Sequence, residues 1–271
     1  WVMDKLVTRR RFLKSGAIIA GGIATVAGVE TLTPLIVKEQ PVFDDNASPW
    51  AQEQPPKNPP LDHDIDVDVA VIGGGYTGLS AAYHLARLFP GQTIVLVEAR
   101  GVGQGASGRN GGMLLPQPSN EFMEVYSNPR THKLTYDLTV ENLNAIRALL
   151  VEQGVSEALD DCGALLVISN AFQVQRYRDY AVRARELGIP VVFWDREQTR
   201  QAIGTDVYHG ALYEPNAGQV HPMLLVRALK LAAEAAGAHI YEDSPVKQIE
   251  QGQVVRLHVG VNHYINAKTV V

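Results

Sequence analysis

The sequence predicts an α/β fold: a parallel sheet layered on both faces, interrupted by an inserted α+β region. Three observations carry this. Residues 66–72 form a short run dominated by β-branched and other apolar side chains that ends in glycine and passes into helical spacing. Residues 93–97 repeat such a run, and from Gly218 onward, after a long mixed stretch, the same alternation resumes. Short apolar runs of this kind suit strands buried on both faces.

The junction after the first strand carries the most information. Gly73, Gly75 and Gly78 stand at G-x-G-x-x-G spacing, and from Tyr76 and Thr77 onward Leu79, Ala82, Tyr83, Leu85 and Ala86 recur at helical intervals. In such a turn the first glycine allows the sharp bend, the second lets backbone approach a pyrophosphate, and the third lets helix pack on strand. The phosphates then rest on unpaired amides at the positive end of the helix. An ordinary glycine turn has the same spacing, so the setting decides. After the helix come a Pro90-Gly91 turn and the second strand, 93–97, which ends on Glu98. An acid at that interval accepts hydrogen bonds from an adenosine ribose. The sequence therefore points to dinucleotide binding.

A second glycine-rich stretch follows directly, from Gly101 to Gly112, and includes Ala106, Ser107, Arg109, Asn110, Gly111 and Gly112. A plain surface loop has a similar composition. Here, however, the chain has just passed the ribose acid, and a backbone without Cβ atoms can close over a flat ring while Ser107 and Arg109 reach polar oxygens. The run from Asp68 to Gly112 resembles the FAD-binding start of the D-amino-acid oxidase-like (DAO) family of FAD-dependent oxidoreductases. Its Ser-Gly-Arg-Asn-Gly-Gly segment is most like that of members similar to gamma-glutamylputrescine oxidoreductases.

The resemblance implies a Rossmann-like FAD-binding domain with a three-layer parallel sheet, built from residues 62–113 and 217–271, and an inserted substrate-domain part, 114–216, both incomplete. It also implies that Gly73–Gly78 hold the pyrophosphate, that Glu98 takes the ribose, and that 106–112 runs close to the flavin. The position matching Val246 contacts adenine through its backbone.

The ends of the chain carry separate signals. Thr8-Arg9-Arg10-Arg11-Phe12-Leu13-Lys14, followed by the uncharged run 15–29, resembles a twin-arginine export signal, so 1–37 is expected to be a leader or anchor. That route moves folded proteins, which suits one that must take up its cofactor first. Residues 38–61, rich in Pro, Asp, Asn and Gln, are expected to be a linker. The chain stops inside a strand-like segment, so a C-terminally truncated chain is expected.

Composition narrows the function classes. A formal charge of −5 with no basic stripe beyond the leader argues against a nucleic-acid partner. The single cysteine, Cys162, excludes an intrachain disulfide and reads as structural, and no His or Cys cluster has metal-ligand spacing.

Residues 119–153 are expected to be helical, with Leu134, Leu138, Leu143, Ile146, Leu149 and Leu150 on the apolar face. Strands follow at 163–169, 191–194 and 207–214, and a charged helix at 171–187. Asp195 and Gln198 stand at capping-box spacing before a further helix. Tyr126, Tyr136, Phe193, Trp194 and Tyr213 read as core or pocket wall. Past Gly218, Pro222 opens a helix ended by Gly237, with His221 a hydrogen-bonded entrance residue or a group facing the flavin pocket. Strands at 238–241 and from 244, and a hairpin over 254–271, complete the pattern.

The resemblance implies hydride transfer to FAD from a carbon bearing nitrogen in an amine or amino acid, with oxygen or a quinone as electron acceptor. Two alternatives remain at this point. A nicotinamide-dependent reductase would use the same first βαβ unit, and an inactive flavoprotein fragment would carry half a site. No side chain stands out as catalytic.

Overall fold

The computed structural model describes residues 48–116 and 124–271, which fall in one compact unit. The expected leader, residues 38–47 of the expected linker, and residues 119–123 of the expected helix lie outside the described residues.

The chain enters through β1 (Ile65–Ile72), α1 (Tyr76–Leu88), β2 (Ile94–Val97) and β3 (Met113–Leu114). The middle holds α2 (Glu124–Ser127), α3 (Pro129–Glu152), β4 (Leu159–Asp160), β5 (Ala164–Val167), α4 (Val174–Glu186), β6 (Val192–Trp194) and α5 (Arg196–Ile203). It continues through β7 (Ala211–Glu214), β8 (Gly218–Val220) and α6 (Pro222–Ala235). Last come β9 (His239–Tyr241), β10 (Val246–Glu250), β11 (Val255–Val259) and β12 (His263–Val270).

The main sheet runs β10-β11-β12-β1-β2-β9. β1 lies parallel between β12 and β2, and β9 is parallel to β2. The sheet is nonetheless mixed. β10, β11 and β12 pair antiparallel, because the short connection from Val259 to His263 permits only a hairpin return. All four residues of β2 are buried, and alternate ones serve opposite faces. Ile94 and Leu96 join the core formed with α1 (Leu79, Ala82, Ala86) and α6 (Val226, Leu229, Ala233). Val95 and Val97 join Leu61, Val67, Leu257, Val259, Ile265 and Ala267 on the other face.

The inserted region forms two small antiparallel sheets, β3-β8-β4 and β5-β7-β6. The expected capping box of α5 is present: Gln198 N–H donates to Asp195 Oδ1 at 2.9 Å and Asp195 N–H to Gln198 Oε1 at 3.0 Å. Two expectations change. Leu134 and Leu138 are exposed, because the first half of α3 packs inward through His132 and Tyr136, so the apolar stripe lies elsewhere until Leu143. The strand expected at 207–214 begins only at Ala211, after Gly210 at φ 153°. Among the aromatics, Tyr136 is core and Trp194 stacks on Tyr213 with centroids 4.7 Å apart, but Tyr126 is exposed. Cys162 is exposed as well, its thiol directed to the Gly163 carbonyl.

The linker expectation also changes at its C-terminal end. Residues 48–61 are held against the folded unit by specific bonds: Asn58 N–H to Glu242, Leu61 N–H to Ser244 Oγ, and Trp50 Nε1–H to the Asn110 carbonyl. Polar composition leaves few apolar anchors, and this segment is fixed by hydrogen bonds instead. Among the described residues no helix is long and apolar enough to cross a membrane.

Candidate cofactor site

The site is built at the carboxyl end of β1. Gly73 takes φ 104°, a conformation that favours glycine, and its N–H donates to the Val97 carbonyl at 2.9 Å, so the turn leaves the sheet without losing the ladder. A Cβ on Gly78 would stand 1.9 Å from the Gly73 carbonyl oxygen, which is how closely α1 packs on the turn. These are the tasks expected of the first and third glycines.

The first turn of α1 supplies donors. Tyr76 N–H donates to Ser107 Oγ at 3.0 Å. Among the described residues no acceptor meets the amides of Gly75, Thr77 or Gly78, and Thr77 is exposed. This helix end is therefore open, and its dipole and free amides favour an anion. Gly75 faces Ser107, whose hydroxyl would lie 2.9 Å from an added Cβ.

Glu98 sits where the sequence placed it, with more to do than expected. Its Oε2 accepts from Gly74 N–H at 2.7 Å and its Oε1 from Arg100 N–H at 3.0 Å. Each oxygen keeps a second lone pair for a ligand hydroxyl. Ser244 N–H donates to the Glu98 carbonyl at 2.8 Å, and Val246, two residues further on and half-buried, opens β10.

The second glycine-rich loop closes over the turn. Gly103 N–H donates to the Gly74 carbonyl at 2.9 Å. Residues Ala106–Gly108 form a 3-10 turn, and the Asn110 side chain holds it from beyond. Asn110 Nδ2 donates to the Ser107 carbonyl at 2.8 Å, and its Oδ1 accepts from Gly112 N–H at 2.9 Å. Arg109 Nε donates to the Gln104 carbonyl at 2.9 Å, while Gly111 is exposed with no atom near the place of a Cβ. Tyr76 Oη donates to the Pro222 carbonyl at 3.1 Å, and burial raises the phenol above its ordinary pKa, partly offset by the Asn110 amide. His221 is a helix entrance residue: its Nδ1 accepts from Leu224 N–H at 3.3 Å.

The glycine turn, Glu98 and residues 106–112 thus meet at the open end of α1, and Val246 follows two residues after the Ser244 amide that bonds the Glu98 carbonyl. Open amides, an acid with spare lone pairs, and backbone cleared of Cβ atoms fit a dinucleotide carrying a pyrophosphate and a ribose.

The match to the family of FAD-dependent oxidoreductases covers residues 68–271. The chain belongs to the DAO family. The cofactor of the DAO family is FAD, which settles the choice against nicotinamide. The probable oxidoreductase OrdL of Rhizobium meliloti (strain 1021) is 35% identical over 189 residues, covering 68% of this chain and 43% of that protein. Gamma-glutamylputrescine oxidoreductase of Escherichia coli (strain K12) is 32% identical over 227 residues, covering 77% and 52%. Glycine oxidase from Geobacillus kaustophilus superposes with a TM-score of 0.65 at 25% identity, covering 76% of this chain and 54% of that one. The chain spans about half the length of the curated DAO-family relatives it matches.

Sequence reasoning missed two buried polar groups. Lys230 and Glu242 form a buried ion pair, with Nζ to Oε2 at 2.5 Å. The signal was a lysine in the apolar row Met223, Val226, Lys230, Ala233 of α6. The second group lies in the insertion, where Glu214 Oε1 accepts from Tyr136 Oη at 3.0 Å and from Asn216 N–H at 2.9 Å. Burial raises the Glu214 carboxyl above its ordinary pKa, and its Oε2 is buried with no partner among the described residues.

Proposed function

We propose that the protein oxidises the C–N bond of an amine or amino acid by hydride transfer to FAD, with oxygen or a quinone as the final electron acceptor. The observation that carries this reading is the meeting of three segments, 73–78, Glu98 and 106–112, at the open helix end. Two relatives support the substrate class: one is a gamma-glutamylputrescine oxidoreductase and another a glycine oxidase.

FAD, when bound, supplies the electron-accepting ring. The chain's residues bind and orient. The amides of Gly75, Thr77 and Gly78 would hold the pyrophosphate, Glu98 the ribose hydroxyls, and the Val246 backbone adenine. Ser107, Arg109 and Asn110 shape the loop that would lie against the flavin, and Ala106, Gly111 and Gly112 would allow its close approach. No side chain is assigned as catalytic, since a neutral substrate amine needs no obligatory base. The resulting imine is hydrolysed by water.

The twin-arginine-like segment at residues 8–14 supports export in the folded state through the twin-arginine translocation machinery, to the periplasm or to a membrane anchor facing it. On this reading, 62–113 and 217–271 are two parts of one cofactor domain and 114–216 faces the substrate.

The protein, purified with its flavin, is expected to lose its flavin absorbance when an amine or amino acid is added anaerobically. A folded, colourless protein that takes up no FAD would defeat the proposal. Glu98→Ala should weaken FAD binding by roughly 10- to 100-fold, the worth of a charge-assisted hydrogen bond. Titration of FAD fluorescence checks this, and an unchanged affinity removes Glu98 from the site.

A further inference from the structure

Residues 48–61 form a strap tied to both ends of the glycine-rich loop. At the far end of the loop, the Ser48 hydroxyl donates to the Gly108 carbonyl at 2.5 Å and Trp50 Nε1–H to the Asn110 carbonyl at 3.0 Å. The indole also meets the His221 ring edge-on, with centroids 4.6 Å apart. Two of the loop's last carbonyls thus accept from the strap, and the strap's indole packs on the entrance of α6.

At the near end the connection runs through a buried carboxylate. Glu242 is fully buried, and its Oε1 accepts from Val102 N–H at 2.8 Å. Its Oε2 accepts from Asn58 N–H at 2.7 Å and from Lys230 Nζ, which also reaches the Pro56 carbonyl at 2.6 Å. One carboxylate therefore binds loop and strap together. Gln54 lies between these ends, its Nε2 only 2.7 Å from the place of a Cβ on Gly101.

These bonds do not serve the core of the sheet, to which the strap contributes Leu61 and the edge of Trp50. Their common target is 101–112, a stretch with six glycines. Glycine loses more conformational freedom on ordering than any other residue, so ordering this stretch is costly. We propose that the strap is a positioning element of the cofactor site: its docking fixes the loop in the shape that receives FAD, so strap docking and FAD binding are one coupled equilibrium. Trp50 is its principal positioning residue at the flavin end.

Coupling of this kind is reciprocal. FAD tightens the strap by the same factor by which the strap tightens FAD.

The inference rests on the flavin reading of this site, and the experiment separates the two. The full-length protein is freed of flavin, and FAD affinity and hydrogen exchange over residues 48–61 are measured. In the parent, exchange in the strap is expected to slow on addition of FAD. In Trp50→Ala, the FAD dissociation constant is expected to rise about tenfold, with the apoprotein melting close to its parent. A purely structural role would lower apoprotein melting and leave FAD affinity unchanged, and that result overturns the proposal. So does strap exchange in the parent that ignores FAD, a measurement that needs no variant. A parent that binds no FAD overturns the flavin reading itself, and the coupling with it.

Discussion

Gly78→Ala is expected to abolish flavin binding and to lower the melting temperature of the protein. The added methyl would stand 1.9 Å from the Gly73 oxygen and 3.1 Å from the Gly73 carbonyl carbon. Both are backbone atoms, so a rotamer change cannot relieve the overlap. Either α1 lifts off the sheet or the turn at Gly73 moves. The first opens the core that Leu79, Ala82 and Ala86 share with β2 and α6, and the second breaks the bond from Gly73 N–H to Val97. Forced overpacking of this kind costs about 1–3 kcal/mol or more, which in a domain of this size is a fall of roughly 2–12 °C. Gly91→Ala is the control, since a Cβ there meets nothing within 4 Å. Calorimetry and flavin content of the two variants decide the matter. Equal melting would show that helix and turn are not packed as described.

Lys230→Met should produce the largest loss of stability of any change outside the glycine turn. Lys230 and Glu242 side chains are 3% and 0% exposed, and Met preserves the length of the lysine stem while removing its charge. Glu242 would then keep only the amides of Val102 and Asn58 as donors. Leaving one charge of a buried pair uncompensated costs about 3–5 kcal/mol, whereas replacing both partners is often close to neutral. The double variant Lys230→Met with Glu242→Gln is therefore expected to recover much of the loss. Denaturant midpoints test this, and a single variant as stable as the parent would remove the pair from its proposed role.

Much of the cofactor half was legible in the sequence because its residues are constrained locally. A glycine at φ 104°, a glycine that admits no Cβ, and an acid at the end of a fully buried strand each leave a mark on their own short segment. The capping box at Asp195 and the helix entrance at His221–Pro222 were readable for the same reason. What escaped depends on partners far away in the chain. Leu134 and Leu138 carry the right spacing for a buried face, but that face is chosen by where α4 lies, and α3 presents Tyr136 and His132 instead. The strap was read as a linker because its composition lacks apolar residues. Its fixation comes from a carboxylate 184 residues downstream of Asn58, which no local pattern encodes. The grip of Glu98 on the Gly74 and Arg100 amides is visible only in three dimensions.

The position of β1 between β2 and β12 has a consequence for the order of events during synthesis. Ile65 faces Ile265, and the Tyr264 amide donates to Asp64 across 200 residues of chain. At roughly 5–20 residues per second a ribosome needs about 10–40 s to cover that interval. Through that time the strand beneath the glycine turn has one bare edge, the kind of surface that invites mispairing. Nucleotide capture therefore waits until the β11–β12 hairpin has been made and can complete the sheet beside the glycine turn.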